Sequence, residues 1–291
     1  LFAKIVAKKK RVDASPRNVQ SVGELILLKN RDDLYNFLEK SYSIYNRVEY
    51  VESDPIFFPT TLNGNKEYIA FVSALFAYGK VRLIKRFLDT FFDYYGTVPG
   101  VSKSPNERIY YRFQSYKDIY HLHVYLLKIY EKYGSLEQLL LSYSHNIDEG
   151  LEQFVFGVRR YGVDNGLSPG FFQLFPDPKN SGLKRLRMFL RWMIRKDDID
   201  FGLWKCFDKK ELLYPIDTHI LRFGAKVGIL PNETNNLKNA IKITSFFRDI
   251  NPIDPLKYDF TITRLGMLCG CEFVKNYKCD TCNFWGDCPF C

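Results

Sequence analysis

The chain is first narrowed by what it lacks. No uninterrupted apolar run approaches the roughly 18–20 residues of a membrane span; the longest candidate, 68–78, is about half that. There is no charged-then-apolar leader with a small-residue cleavage site, so no membrane partner and a cytoplasmic location are expected. No stretch alternates strictly between apolar and polar residues for long enough to suggest a sheet, and no internal repeat is visible. That leaves an all-α class. Histidine is scarce, with four in all, and His121, His123 and His145 form no usable pattern. Cysteine is nearly absent until the end, where six of the seven fall within 269–291; Cys206 stands alone and is expected to be buried.

What is present points to a polyanion. Lys and Arg number 42 against 33 Asp and Glu, a net charge of +9. Phosphate contacts made by such residues release counterions from nucleic acid. Aromatic residues reach 16%, with 25 Phe and 20 Tyr, more than a core strictly needs and suited to stacking on bases. The 291 residues are 46% hydrophobic, enough for one large domain or two small ones.

Along the chain, residues 1–28 read as a basic arm. They carry Lys8, Lys9, Lys10 and Arg11, with a turn at Ala14-Ser15-Pro16-Arg17. Helical spacing begins near Arg31, where Asp32 and Asp33 suit a first turn ahead of Leu34, Phe37 and Leu38. Further helices are predicted over 67–78, 83–95, 116–133, 136–144 and 148–161, separated by Gly, Pro, Asn or Ser turns. Residues 162–181, rich in Gly, Pro, Asp and Asn, read as a connection. Residues 29–291 are thus expected to form the helical domain.

Two stretches carry candidate chemistry. The first runs from Ser181-Gly182 into a helix on which Lys184, Arg187, Arg191 and Arg195 share one stripe, with Leu186, Phe189, Leu190 and Met193 opposite. No acidic residue interrupts 184–196, so the stripe is expected to be cationic. A glycine turn opening a helix also offers backbone N–H groups to phosphate. Gly182, Arg187 and Arg191 are accordingly candidates for DNA contact. The second stretch is Tyr214-Pro215-Ile216-Asp217-Thr218-His219-Ile220-Leu221-Arg222, where Asp217 occupies an N-cap position after a proline break. His219 is expected to serve packing or hydrogen bonding, and Arg222 either structure or a phosphate contact. Trp192 and Tyr214 are candidates to stack on a base.

The Pro-Ile-Asp-Thr-His-Ile-x-Arg run resembles the signature of the helix–hairpin–helix DNA glycosylases, the endonuclease III-like superfamily. The resemblance implies a two-lobed helical fold, a hairpin and catalytic region over 176–228, and a cysteine-ligated cluster loop over 269–291. It also implies a monomer acting on double-stranded DNA that holds a damaged base. Asp217 takes the place of the family's motif aspartate, and Lys184 that of the catalytic lysine at the start of the second hairpin helix. Asp54-Pro55 and 74–79 are similar to a bacterial branch of the superfamily without an assigned function. Two features depart from the common pattern. The hairpin has Ser181-Gly182 in place of Gly-x-Gly, and Lys184 precedes Asp217 by 33 positions. That long separation is similar to the archaeal 8-oxoguanine DNA glycosylases and calls for an inserted loop, with 197–210 as the candidate. Lys196 is the alternative nucleophile.

In that family a neutral lysine attacks sugar C1′, forms a Schiff base and allows strand cleavage, while the aspartate stabilises the cationic sugar. The implied activity is base-excision removal of 8-oxoguanine or another oxidised base, with AP-lyase activity. The alternative is a non-catalytic nucleic-acid-binding protein. In the tail, cysteine density argues for a metal. By spacing alone, zinc and a [4Fe–4S] cluster fit equally. The resemblance implies the cluster, with Cys271, Cys279, Cys282 and Cys288 as ligands at a first spacing one residue longer than the family's, and Cys269 or Cys291 as possible replacements for Cys271.

Overall fold

The structure is a computed structural model that describes residues 31–275, 279–282, 284 and 288–290. The basic arm and the remainder of the tail lie outside the described residues. Twelve α-helices and no strand occur among the described residues, in accord with the all-α expectation. No helix there is long and apolar enough to cross a membrane.

Helix α1 (Arg31–Tyr45) is followed by the short α2 (Phe57–Thr61) and by α3 (Lys66–Leu75), α4 (Val81–Tyr95), α5 (Tyr116–Tyr133), α6 (Leu136–Tyr143) and α7 (Ile147–Asp164). Their ends follow local chemistry. Ser115 and Asp118 form a reciprocal capping box at the start of α5, and Gly134 stops it in the left-handed region at φ 75°. Asn146 opens α7 by accepting from two backbone amides. The predicted connection 162–181 contains a further helix, α8 (Pro169–Leu174), with Ser168 as cap and Pro169 at its first position. Helix α9 (Lys184–Ile194) packs on α3, and both are almost wholly buried.

After α9 the chain runs to α10 (Thr218–Lys226), α11 (Leu237–Ile250) and α12 (Asp259–Leu268). Helix α12 packs on both α10 and α1, so the first described helix closes onto the last. The remaining helix contacts join α2 to α3 and tie α5, α6, α7 and α8 together. One hydrophobic core runs through all of these helices.

The candidate inserted segment is fastened down rather than loose. Trp204 Nε1 donates to Glu67 Oε1 at 2.6 Å, and Glu67 Oε2 also accepts from Tyr130 and from the amide of Leu136. A carboxylate with this many donors anchors the segment to α3 and α6 at once.

Candidate active site

Helix α9 begins from a strained turn. Leu183, with φ 46°, is a non-glycine residue in the left-handed region, and its amide donates to Ser181 Oγ at 3.1 Å. Gly182 is buried, and a Cβ there would collide with Asn235 Oδ1 and crowd Ile216. Its lack of a side chain permits close packing against the segments flanking α10. The turn delivers Lys184 to the first position of α9, half-exposed.

Helix α10 is capped by Asp217. Its Oδ1 accepts from the amides of His219 and Ile220, both at 2.8 Å, and its Oδ2 accepts from Thr263 Oγ1 at 3.2 Å. Lys184 and Asp217 line the same cleft, about 590 Å³ in volume. That lies within the ~300–1,000 Å³ typical of small-molecule sites. Its walls come from the α3–α4 corner (Ala77, Tyr78, Gly79), from Phe113, from the α8–α9 hairpin, and from α10 with Asn235 and Met267. A smaller cavity of about 120 Å³ is also lined by Lys184 and Asp217, together with Asp54, Arg191, Asp259 and Arg264. Lys196, the alternative nucleophile, is exposed and lines a different groove with 197–201.

The cationic stripe on α9 is not a surface, which corrects the expectation from sequence. Arg187 and Arg191 are each 4% exposed and Arg195 2%. Arg187 Nη1 donates to Asp148 Oδ1 at 2.5 Å. Arg191 pairs with Asp200 and Asp259, and Arg195 with Asp197, Asp200 and Asp254. These arginines neutralise carboxylates in the interior and have no face for DNA; the partners come from other segments, so the helix itself gave no sign of them. Trp192 and Tyr214 are fully buried and cannot stack on a base. Cys206, expected to be buried, is exposed.

The cations that do reach the cleft are few. Lys184 makes no ion pair with a carboxylate among the described residues. Arg222 is half-exposed one turn along α10 from Asp217 and does not line the cleft. Arg185 is spent on structure, donating to the carbonyls of Leu75 and Gln173 and lying 4.8 Å from the Tyr78 ring centre. His219 packs edge-on to Gly266, where a Cβ would collide with its Nδ1. Burial lowers its pKa, Asp217 opposes this, and the charges of Arg222, Arg264 and Lys184 reinforce it.

Several residues here gave no sequence signal. Asp259 is buried beside Asp217, and Arg264, 1% exposed, donates to Asp54 Oδ2 at 2.6 Å. The one available hint was Arg264 standing among apolar neighbours in a helix, where a lone cation implies a buried partner.

The tail places Cys269, Cys271, Cys282 and Cys288 half-buried against the core. Cys269 Sγ lies 2.9 Å from the Tyr45 hydroxyl. Burial, with smaller contributions from Cys288, Cys282 and Cys269, pushes the Cys271 thiol up to about 12. Among the described residues, no three His, Cys, Asp or Glu side chains converge as a group able to hold a metal. The donor chemistry suits a thiolate-bound metal, and the Cys269, Cys282 and Cys288 thiols stand close enough to Cys271 to act on it. Cys279 Sγ lies 4.0 Å from the Val274 carbonyl.

Residues 54–268, which include every cleft residue named above and stop short of the tail, match the model of a family described as a protein of unknown function, DUF2400. No curated protein and no solved structure matches the chain. Since the match spans well over half of its length, the chain belongs to the DUF2400 family.

Proposed function

We propose that the protein is a base-excision DNA glycosylase with AP-lyase activity, working in the cleft shared by Lys184 and Asp217. The observation that carries this reading is the pairing itself. Two residues 33 positions apart, each at the head of its own helix, line one cleft wide enough for a nucleoside.

The chemistry follows from the two groups. A nucleotide turned out of the duplex presents its C1′ to Lys184. The Lys184 amine attacks C1′; the bond from C1′ to the base breaks, and the base leaves with the electron pair and takes up a proton. The Asp217 carboxylate faces the positive charge that develops on the sugar and lowers the barrier by electrostatic attraction. Ring opening gives a Schiff base on Lys184 Nζ. Loss of a C2′ proton then expels the 3′ phosphate. Arg222 is suited to a flanking phosphate. The long lysine–aspartate separation resembles that of the archaeal 8-oxoguanine DNA glycosylases, and the resemblance implies an oxidised purine such as 8-oxoguanine as the substrate, acted on by a monomer.

We read the cysteine tail as a structural [4Fe–4S] site, with zinc as the alternative occupant. The thiolates would hold it, and it would supply no step at the sugar.

A panel of duplexes, each with one lesion, tests the reading. Borohydride should trap the wild-type protein on its substrate. Lys184→Gln should abolish trapping and leave binding within about threefold, since the lost amine acts mainly in the transition state. Trapping that survives Lys184→Gln would refute the assignment, and binding without cleavage of any lesion would leave a nucleic-acid-binding protein.

A further inference from the structure

The smaller cavity beside Lys184 and Asp217 is lined by polar groups that neither packing nor the chemistry above puts to use. It encloses about 120 Å³, room for roughly four waters at ~30 Å³ each. It shares Ala77, Lys184, Asp217 and Met267 with the larger cleft, so the two cavities adjoin at the proposed catalytic pair.

Two of its buried side chains are incompletely bonded. Asp259 is 4% exposed; its Oδ2 accepts from Arg191 Nη1, and its Oδ1 has no partner among the described residues. Arg264 spends Nη2 on Asp54 and Nη1 on the Tyr50 carbonyl and the Ser53 hydroxyl, and its Nε has no partner among the described residues. A buried polar atom left dry costs about 1–3 kcal/mol. A chamber of this size with such atoms in its wall therefore takes water.

The helices aim this chamber at the cleft. Asp259 opens α12, and Thr263, one turn further along, donates to Asp217 Oδ2 at 3.2 Å. One face of α12 thus presents both residues to the head of α10. Facing Asp259 are Arg191 from α9, Asp200 from the segment after it, and Tyr214 and Asp217 ahead of α10. Lys184, Asp54 and Arg264 complete the charged wall of the chamber. Burial, aided by Asp217 and Asp200 against Arg191, favours a proton on Asp259. With Oδ2 held by Arg191, the proton belongs on Oδ1, next to the water.

We propose that Asp259, acting through the water of this chamber, supplies the proton that the departing base takes up. This rests on the glycosylase reading of the cleft and names the proton's source. As the bond from C1′ to the base breaks, its electron pair goes to the base, and the Asp259 O–H proton passes along the water to it, leaving a carboxylate. Lys184 Nζ, now bonded to C1′ and positively charged, releases one proton back along the same water to Asp259. Amine and nucleoside become amino-sugar and free base, and Asp259 ends as the acid it began as. Asp217 stays ionised throughout.

The test compares two single-turnover rates of the full chain from pH 5 to pH 8. One is release of base from the lesion duplex cleaved fastest in the panel; the other is borohydride trapping on a preformed abasic duplex, which has no base to protonate. Both need a neutral Lys184, so their ratio cancels it. In wild type the ratio of base release to trapping should fall as the pH rises through about 7. Asp259→Asn should lower that ratio about 100-fold at pH 6, make it independent of pH, and leave trapping within about threefold. A purely structural role would lower both rates together. A wild-type ratio that stays flat, or an Asp259→Asn ratio that is undiminished, overturns the role of Asp259 and leaves the glycosylase reading standing. If wild type releases no base from any lesion, both readings fall.

Discussion

Asp259 gives one carboxylate oxygen to Arg191 and turns the other, without a partner among the described residues, towards the small cavity that Lys184 and Asp217 also line. Around Arg191 and Arg195 stand four carboxylates, those of Asp197, Asp200, Asp254 and Asp259. Lys209 also reaches Asp254, and three positive charges still fall short of four negative ones, so a proton is favoured on one of them. Burial is the main cause that pushes Asp259 up to about 7. Asp217 and Asp200 add to it against the pull of Arg191. The sign for stability follows. A carboxyl raised from its ordinary 3.8 binds more protons folded than unfolded. Its contribution is therefore complete below about pH 4 and is lost as the pH rises through about 7. Asp259→Asn keeps the shape and cannot ionise. Melting temperatures of the two proteins taken from pH 5 to pH 8 should show wild type losing ground to the variant, a comparison in which the histidines cancel. Parallel curves would mean that Asp259 is ionised throughout.

At the scale of the helix, α9 shows where sequence periodicity stops being informative. The stripe of Lys184, Arg187, Arg191 and Arg195 is real as geometry, but three of its members face carboxylates brought from Asp148, Asp197, Asp200, Asp254 and Asp259. Only Lys184, at the open end, reaches the cleft. Removing Arg191 would strand the buried carboxylate of Asp259 and leave Asp200 with Arg195 alone. Arg191→Ala should thus cost about 3–5 kcal/mol in urea unfolding. Arg222→Ala, on the half-exposed side of α10, should leave the unfolding curve within about 0.5 kcal/mol of wild type and lower the salt dependence of DNA binding. Equal stability losses for the two would contradict this division. The same contrast explains what could be read in advance. Helix α5 was legible over its whole length because Ser115 and Gly134 write its ends in local chemistry. Asp217 was legible as a cap for the same reason. Helix α8 was hidden because one and a half turns leave no periodicity, and only Ser168-Pro169 marked it. Asp259 was hidden because its burial is decided by segments far away in sequence.

For the molecule as a whole, the tail and α1 close the structure from opposite ends of the chain. Phe37 of α1 meets Phe284 and Phe290 edge-on, at 5.1 and 5.6 Å between ring centres. Phe290 also meets Phe273 at 5.7 Å and Phe223 of α10 at 6.3 Å. Phe223 lies on the same helix that Asp217 caps, so a metal group bound by the cysteines would also steady the far end of the helix that carries the proposed catalytic carboxylate. A tail of this length has little apolar area of its own, and cross-linking by thiolates is the physical means by which such segments keep one shape. Four thiolates on a [4Fe–4S] cluster predict iron and acid-labile sulfide in equal amounts, with a broad visible absorption. Zinc alone in elemental analysis would assign the site to the other occupant. Cys282→Ser should lower the metal content and reduce the melting temperature by several degrees, about 1–3 kcal/mol of stability for a lost tie of this kind. Because the described residues of the tail touch α10 and do not line the cleft, the same variant should weaken DNA binding while saturating protein still traps on substrate through Lys184. Loss of trapping at saturation would instead put the tail in the chemistry, and an unchanged melting temperature would remove its structural role.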